Sequence, residues 1–60
     1  MDRFLLAIER KPDFSSAYNN LGTCYSIAGQ LPEAIRAYRM AVELDPENVE
    51  AKINLERHSR

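Results

Sequence analysis

Two pairs of polar residues recur at one interval in this sixty-residue chain: Cys24 with His58, and Asn20 with Asn54, each 34 positions apart. A thiol beside an imidazole is the pairing of a nucleophile with its base. A pair of primary amides offers different chemistry, because each both donates and accepts and can bracket a backbone peptide group whatever its side chains. The first option is poorly supported. His58 stands close to the C-terminal end, and Cys24 is expected to be a buried, inert small hydrophobe. As the only cysteine and the only histidine, the two exclude a disulfide within the chain and cannot complete a metal shell. The sequence holds no Gly-rich phosphate loop, no nucleophile elbow, no H-E-x-x-H and no recognisable acid-base carboxylate pair. The expectation is a protein that is not an enzyme, with no catalytic residues, metal, cofactor or small-molecule substrate.

Composition narrows the class further. Hydrophobic residues make up 45% and charged residues 28%, as in ordinary globular proteins. A net charge of -1 supplies no one-sided field for nucleic acid or acidic lipid. The longest apolar run, Phe4 to Ile8, is far short of the roughly 20 residues that cross a bilayer. With no targeting segment visible, a cytoplasmic location and a protein or peptide partner are expected.

The 34-residue interval extends beyond these pairs. Shifting the sequence by that amount superposes Ala7 on Ala41, Glu9 on Glu43, Pro12 on Pro46, Ala17 on Ala51, Asn20 on Asn54 and Leu21 on Leu55. Phe4/Tyr38, Leu6/Met40, Ile8/Val42 and Asp13/Glu47 keep their character. Within one period, Tyr18, Leu21, Tyr25 and Ala28, then Ala34, Ile35, Tyr38, Ala41 and Val42, follow the spacings of two amphipathic helices. Gly29 can take the left-handed position that ends the first, and Pro32 fits only the first turn of the second. Pro12 and Pro46 punctuate the repeat junctions, and Asp13 and Asn48 stand where N-caps are wanted. The pattern predicts four antiparallel helices over about 2–11, 15–28, 31–45 and 49–58, an all-α chain forming one domain over 1–60.

Tyr18-x2-Leu21-Gly22-x2-Tyr25, followed by Ala34-x3-Tyr38, Ala41 and Pro46, resembles the tetratricopeptide repeat, with Tyr for the usual Trp and for the usual Phe. The resemblance implies one complete repeat over 15–48, with 2–14 similar to the second helix of a preceding repeat and 49–60 to a capping helix. It implies a right-handed superhelix fragment, a TPR-type protein-interaction scaffold, with a groove lined by the first helices. Carried over by motif position, the peptide- or partner-binding residues are Ser16, Asn19, Asn20, Thr23 and Ile27, then Glu50, Ile53, Asn54 and Arg57. The family's chaperone-tail clamp needs basic residues on successive first helices, and Glu50 and Asn54 stand where they should be. Binding of acidic chaperone tails is therefore disfavoured.

The small residues have a physical reason. Gly22, Ala34 and Ala41 let the two helices of the repeat cross closely, with Tyr18, Leu21, Tyr25 and Tyr38 filling the space around them. The tyrosines are thus expected to pack rather than stack on a ligand. Arg36 and Arg39 pair with Glu33 and Glu43 at helical spacings instead of forming a basic patch. At the C-terminal end, Lys52 and Glu56 make a polar outer face, while Ala51 and Leu55 turn inward. At the other end, Phe4, Leu5, Ala7 and Ile8 form an apolar face, and the alternative function is self-association through it as a homodimer or against a neighbouring repeat.

Overall fold

The computed structural model describes residues 10–58, and these form three helices: α1 (Pro12–Ile27), α2 (Leu31–Leu44) and α3 (Val49–His58). The all-α expectation holds. The expected first helix falls on residues outside the described ones, as do Phe4, Leu5, Ala7 and Ile8, but Arg10 and Lys11, assigned to its end, are not helical. The helix expected from 15 begins three residues earlier, at Pro12. Proline has no N–H to lose in a first turn and its φ is already helical, so Pro12 starts the helix instead of preceding it. Asp13 consequently lies inside the first turn, where its charge favours the positive helix end, and does not serve as the N-cap.

The turn between α1 and α2 follows from one glycine. Gly29 has φ +82°, a conformation that costs a side-chain-bearing residue more than glycine. The amide of Gly29 donates to the Ser26 carbonyl at 3.0 Å and that of Gln30 to the Tyr25 carbonyl at 2.8 Å, the paired bonds of a Schellman ending. At the next junction Asn48 is the N-cap of α3, its Oδ1 accepting from the Ala51 amide at 3.1 Å. Its Nδ2 donates to Ser15 Oγ at 2.8 Å, and Ser15, fully buried, donates to the Ala41 carbonyl at 2.7 Å. One asparagine therefore ends a loop, starts a helix and satisfies a buried hydroxyl.

The core is small. Ala34, Ala37, Ala41 and Ala51 are buried, and Tyr38, 2% exposed, is the large side chain among them. Burying an aromatic of its size removes roughly 150–250 Å² from water, an apolar contribution of about 5 kcal/mol before entropy is charged against it. Its ring lies on Gly22: a Cβ there would stand 2.7 Å from Tyr38 Cδ1 and Cε1. The α1–α2 crossing is thus set by a glycine opposite a tyrosine. α3 adds Ala51, buried, and Leu55, half-buried, with Lys52 and Glu56 outward as expected.

The chain enters α1 under restraint. Lys11 donates its amide to the Leu44 carbonyl at 2.9 Å. Arg10 Nε donates to Asp45 Oδ1 at 2.9 Å, and its guanidinium also reaches Glu47 Oε1 at 3.5 Å. Asp45 is nearly buried and takes a further bond from the Glu47 amide at 3.1 Å. The hydrogen bond from Arg10, assisted by that amide, holds the Asp45 carboxyl below its ordinary range against the opposing effect of burial.

Candidate functional site

α1 and α3 lie side by side, and the residues assigned to the binding groove divide according to what the seam demands of them. Ser16, Asn20, Thr23 and Ile27 on α1, and Glu50, Ile53 and Arg57 on α3, are exposed, while Asn54 is half-buried. Asn19 is not on the groove surface. It is 7% exposed and turned into the seam, where its Oδ1 accepts from Asn54 Nδ2 at 2.9 Å. A buried carboxamide needs a partner, and Asn54 is within reach. The equivalent asparagines thus have different environments: Asn54 is fixed by Asn19, and Asn20 is open to solvent.

A belt of polar contacts continues along this seam. Thr23 Oγ1 donates to the Asn19 carbonyl at 3.1 Å, so the Tyr38 hydroxyl, 3.0 Å away, must donate to Thr23. His58 Nδ1 lies 2.7 Å from the Asn54 carbonyl, which can only accept, so Nδ1 carries the proton. In the neutral ring Nε2 then accepts from Ser26 Oγ at 2.9 Å. The imidazole leans on Tyr38, with ring centroids 5.1 Å apart at 45°. Spacing in the sequence set His58 against Cys24, but the structure sets it against Ser26. Cys24 is exposed, not buried as expected, because it lies off the face that α1 turns to α2 and α3.

Ser26, His58 and the Asn54 carbonyl have the order of a nucleophile, a base and the group that orients it. Among the described residues, the backbone amides near Ser26 offer no free donor for an oxyanion. Each nearby backbone amide is already used: Ala28 donates to Cys24, Gly29 to Ser26 and Gln30 to Tyr25. Ser26 also sits in the last turn of α1, where the helix dipole opposes an oxyanion. Among the described residues no group of three or more His, Cys, Asp or Glu could hold a metal ion. No described helix is long and apolar enough to cross a membrane.

The remaining tyrosines line another feature. Tyr18, Leu21 and Tyr25 of α1 and Glu33, Arg36, Ala37 and Met40 of α2 border an open groove of about 240 Å³ on a different α1 stripe from the polar belt. Tyr38 is fully packed, as expected of all three motif tyrosines. Tyr18 remains 37% exposed and Tyr25 half-buried.

Residues 15–48 match the family described as Tetratricopeptide repeat. The chain belongs to that family. The matched span contains the Gly22–Tyr38 crossing, the Gly29 turn and the Asn48 cap, and begins three residues inside α1. Among curated proteins, it is 42% identical to Hsp70-Hsp90 organizing protein 3 of Arabidopsis thaliana over 67% of this chain and 7% of that protein. It is 40% identical to Hsp70-Hsp90 organizing protein 1 of Glycine max over the same shares. Identity to the peroxisomal targeting signal receptor of Eremothecium gossypii is 36% over 92% of this chain and 10% of the receptor. The tetratricopeptide chain thus spans about a tenth or less of the length of these relatives. No solved structure matches it significantly.

The sequence did not disclose the Asn19–Asn54 or Ser26–His58 pairs. A 34-residue repeat relates equivalent positions, whereas these contacts join positions 35 and 32 residues apart, diagonally across the seam. A search for polar residues close to, but off, the repeat interval would have found both.

Proposed function

We propose that this tetratricopeptide chain is a non-catalytic protein-interaction module, and that an extended peptide segment of a partner lies along the face shared by α1 and α3. The observation that supports this reading is the state of the two equivalent asparagines. Asn54 is held by a buried neighbour yet half open to solvent, and its single hydrogen bond to Asn19 leaves a carbonyl oxygen and one N–H for a ligand among the described contacts. Asn20 offers its whole carboxamide. Holding one amide in place reduces the ordering cost when a peptide backbone binds. Ile27 and Ile53, 81% and 47% exposed, supply apolar surface at the edges.

Charge favours an uncharged ligand segment over an acidic one. Along this face Arg57 is offset by Glu50, so no basic cluster awaits a carboxylate-rich tail. Of the relatives, one is named as a receptor for a peroxisomal targeting signal and others as Hsp70-Hsp90 organizing proteins. Both kinds of name fit a chain that acts on other proteins.

The test is a displayed library of random linear peptides selected on the immobilised chain, with recovered binders titrated against parent and Asn20→Ala protein. Asn20 has no internal partner among the described contacts, so its loss should leave the melt unchanged and weaken binding about fivefold to tenfold, the scale of one lost hydrogen bond. Equal affinity for every recovered binder would remove the asparagine face as the site.

A further inference from the structure

We propose that Ser26 is a covalent modification site, a nucleophile activated by His58 that accepts one acyl group from a thioester and keeps it. The proposal concerns the C-terminal ends of α1 and α3 and stands or falls without the peptide-binding reading.

The geometry supplies half of an acyl-transfer site. Ser26 Oγ lies 2.9 Å from His58 Nε2, within the reach over which a base takes a proton. The other ring nitrogen is committed: Nδ1 donates to the Asn54 carbonyl at 2.7 Å, which leaves Nε2 as the acceptor and aims it at the serine. Tyr38, 2% exposed, packs its ring against the imidazole and limits its rotation. Ser26 and His58 are both half-buried, so the oxygen is held in place without being sealed from a reagent. The chain has a single histidine, and this serine is the one it faces.

The missing half decides which reagents qualify. With no free amide donor beside Ser26 and the C-terminal end of α1 opposing negative charge, a tetrahedral intermediate bearing a poor leaving group returns to starting material. A thioester escapes this limit, because a thiol of pKa about 8.5 leaves as its anion far more readily than an alcohol or an amine. In the step, Ser26 Oγ attacks the thioester carbonyl carbon and its proton passes to Nε2. The C–O bond forms and the C–S bond breaks, and the departing sulfur takes the bonding pair and then the proton from Nε2. An ester of Ser26 and a free thiol remain, with His58 neutral again. No free backbone amide activates that ester toward water, so the site fills once and does not turn over. Acylation also removes the hydroxyl proton that Nε2 accepted, which loosens the end of α3 from α1.

The test uses the whole sixty-residue chain carrying Cys24→Ala, since the exposed thiol would itself exchange with a thioester. The probe is S-phenyl thioacetate, with acetylated positions read by fragmentation mass spectrometry. Ser16, exposed on the same helix, is the internal reference. General-base assistance is worth about a hundredfold or more, and with the helix end opposing the oxyanion Ser26 should gain acetyl at least about tenfold faster than Ser16. His58→Gln keeps a polar side chain that cannot take the proton, and should bring the two serines level. Concentrated urea should level them too, which keeps the comparison decisive if the glutamine variant fails to fold. Equal rates at Ser26 and Ser16 in the folded chain would overturn the proposal. So would an excess at Ser26 that survives His58→Gln or urea.

Discussion

Asn54 donates its side-chain amide to the buried oxygen of Asn19 at 2.9 Å, binding α3 to α1 at the centre of the face on which the chain is proposed to meet its partner. The contact serves packing and recognition together. Its removal should therefore be visible in stability before binding is measured.

Truncating Asn54 to alanine leaves the Asn19 carboxamide buried without its partner, at a cost of about 1 to 3 kcal/mol. Asn19→Leu combined with Asn54→Leu removes both polar groups and should be less destabilising than the sum of the singles. Denaturant unfolding of the four proteins gives the coupling energy. Simple additivity would show that the amides do not act as a pair.

Gly22 should tolerate no side chain. Alanine improves intrinsic helix propensity by about 1 kcal/mol, but its Cβ would lie 2.7 Å from a Tyr38 ring that is itself 2% exposed and has nowhere to retreat. Gly22→Ala is expected to lower the melting temperature despite the propensity gain, and Gly22→Leu to cost about 1 to 3 kcal/mol or abolish the hairpin. A parent-like melt for the leucine variant would refute the observed crossing.

Asp45 predicts an acid limb in the stability profile. Its folded-state carboxyl is held below the ordinary value of about 3.9, first by the hydrogen bond from Arg10. Protons therefore bind the unfolded chain more readily than the folded one, and the contribution is complete above the ordinary value. It declines as pH falls through that value toward the lower folded one. Thermal melts between about pH 5 and pH 2 should show the parent losing its margin over Asp45→Asn. A constant difference across that range would mean that Asp45 contributes no pH-dependent stability.

Ser26→Ala should loosen the end of α3 by about 1 kcal/mol, the value of one hydrogen bond, because Ser26 is a side-chain partner of His58 across the seam. Amide exchange in the last turn of α3 should accelerate while the exchange of α2 stays at the parent rate. Cys24→Ala, at an exposed position, should alter neither.

Much of the architecture was readable from the sequence because it rests on local chemistry repeated at a fixed interval. The apolar spacings gave the three described helices, Gly29 the turn, Asn48 the cap of α3, and Gly22 the close crossing, each within a few residues of its cause. Pro12 shows where local reading reached its limit: a proline is equally suited to a junction and to a first turn, and only the folded chain placed it in the helix.

The face of α1 was readable as a stripe but not in its details. Helical spacing put Asn19 and Asn20 near the same surface, since adjacent residues differ by only about 100° around a helix. What separates them is the position of α3, which covers Asn19 and leaves Asn20 open. For the same reason the sequence aligned His58 with Cys24, while the crossing of the helices delivered it to Ser26. By itself the sequence determined which residues repeat, and hence the order of the three described helices and the family to which the chain belongs. The choice of partner for each side chain was left to tertiary structure, because two packed helices meet along diagonals set by their crossing, and no linear interval encodes that angle.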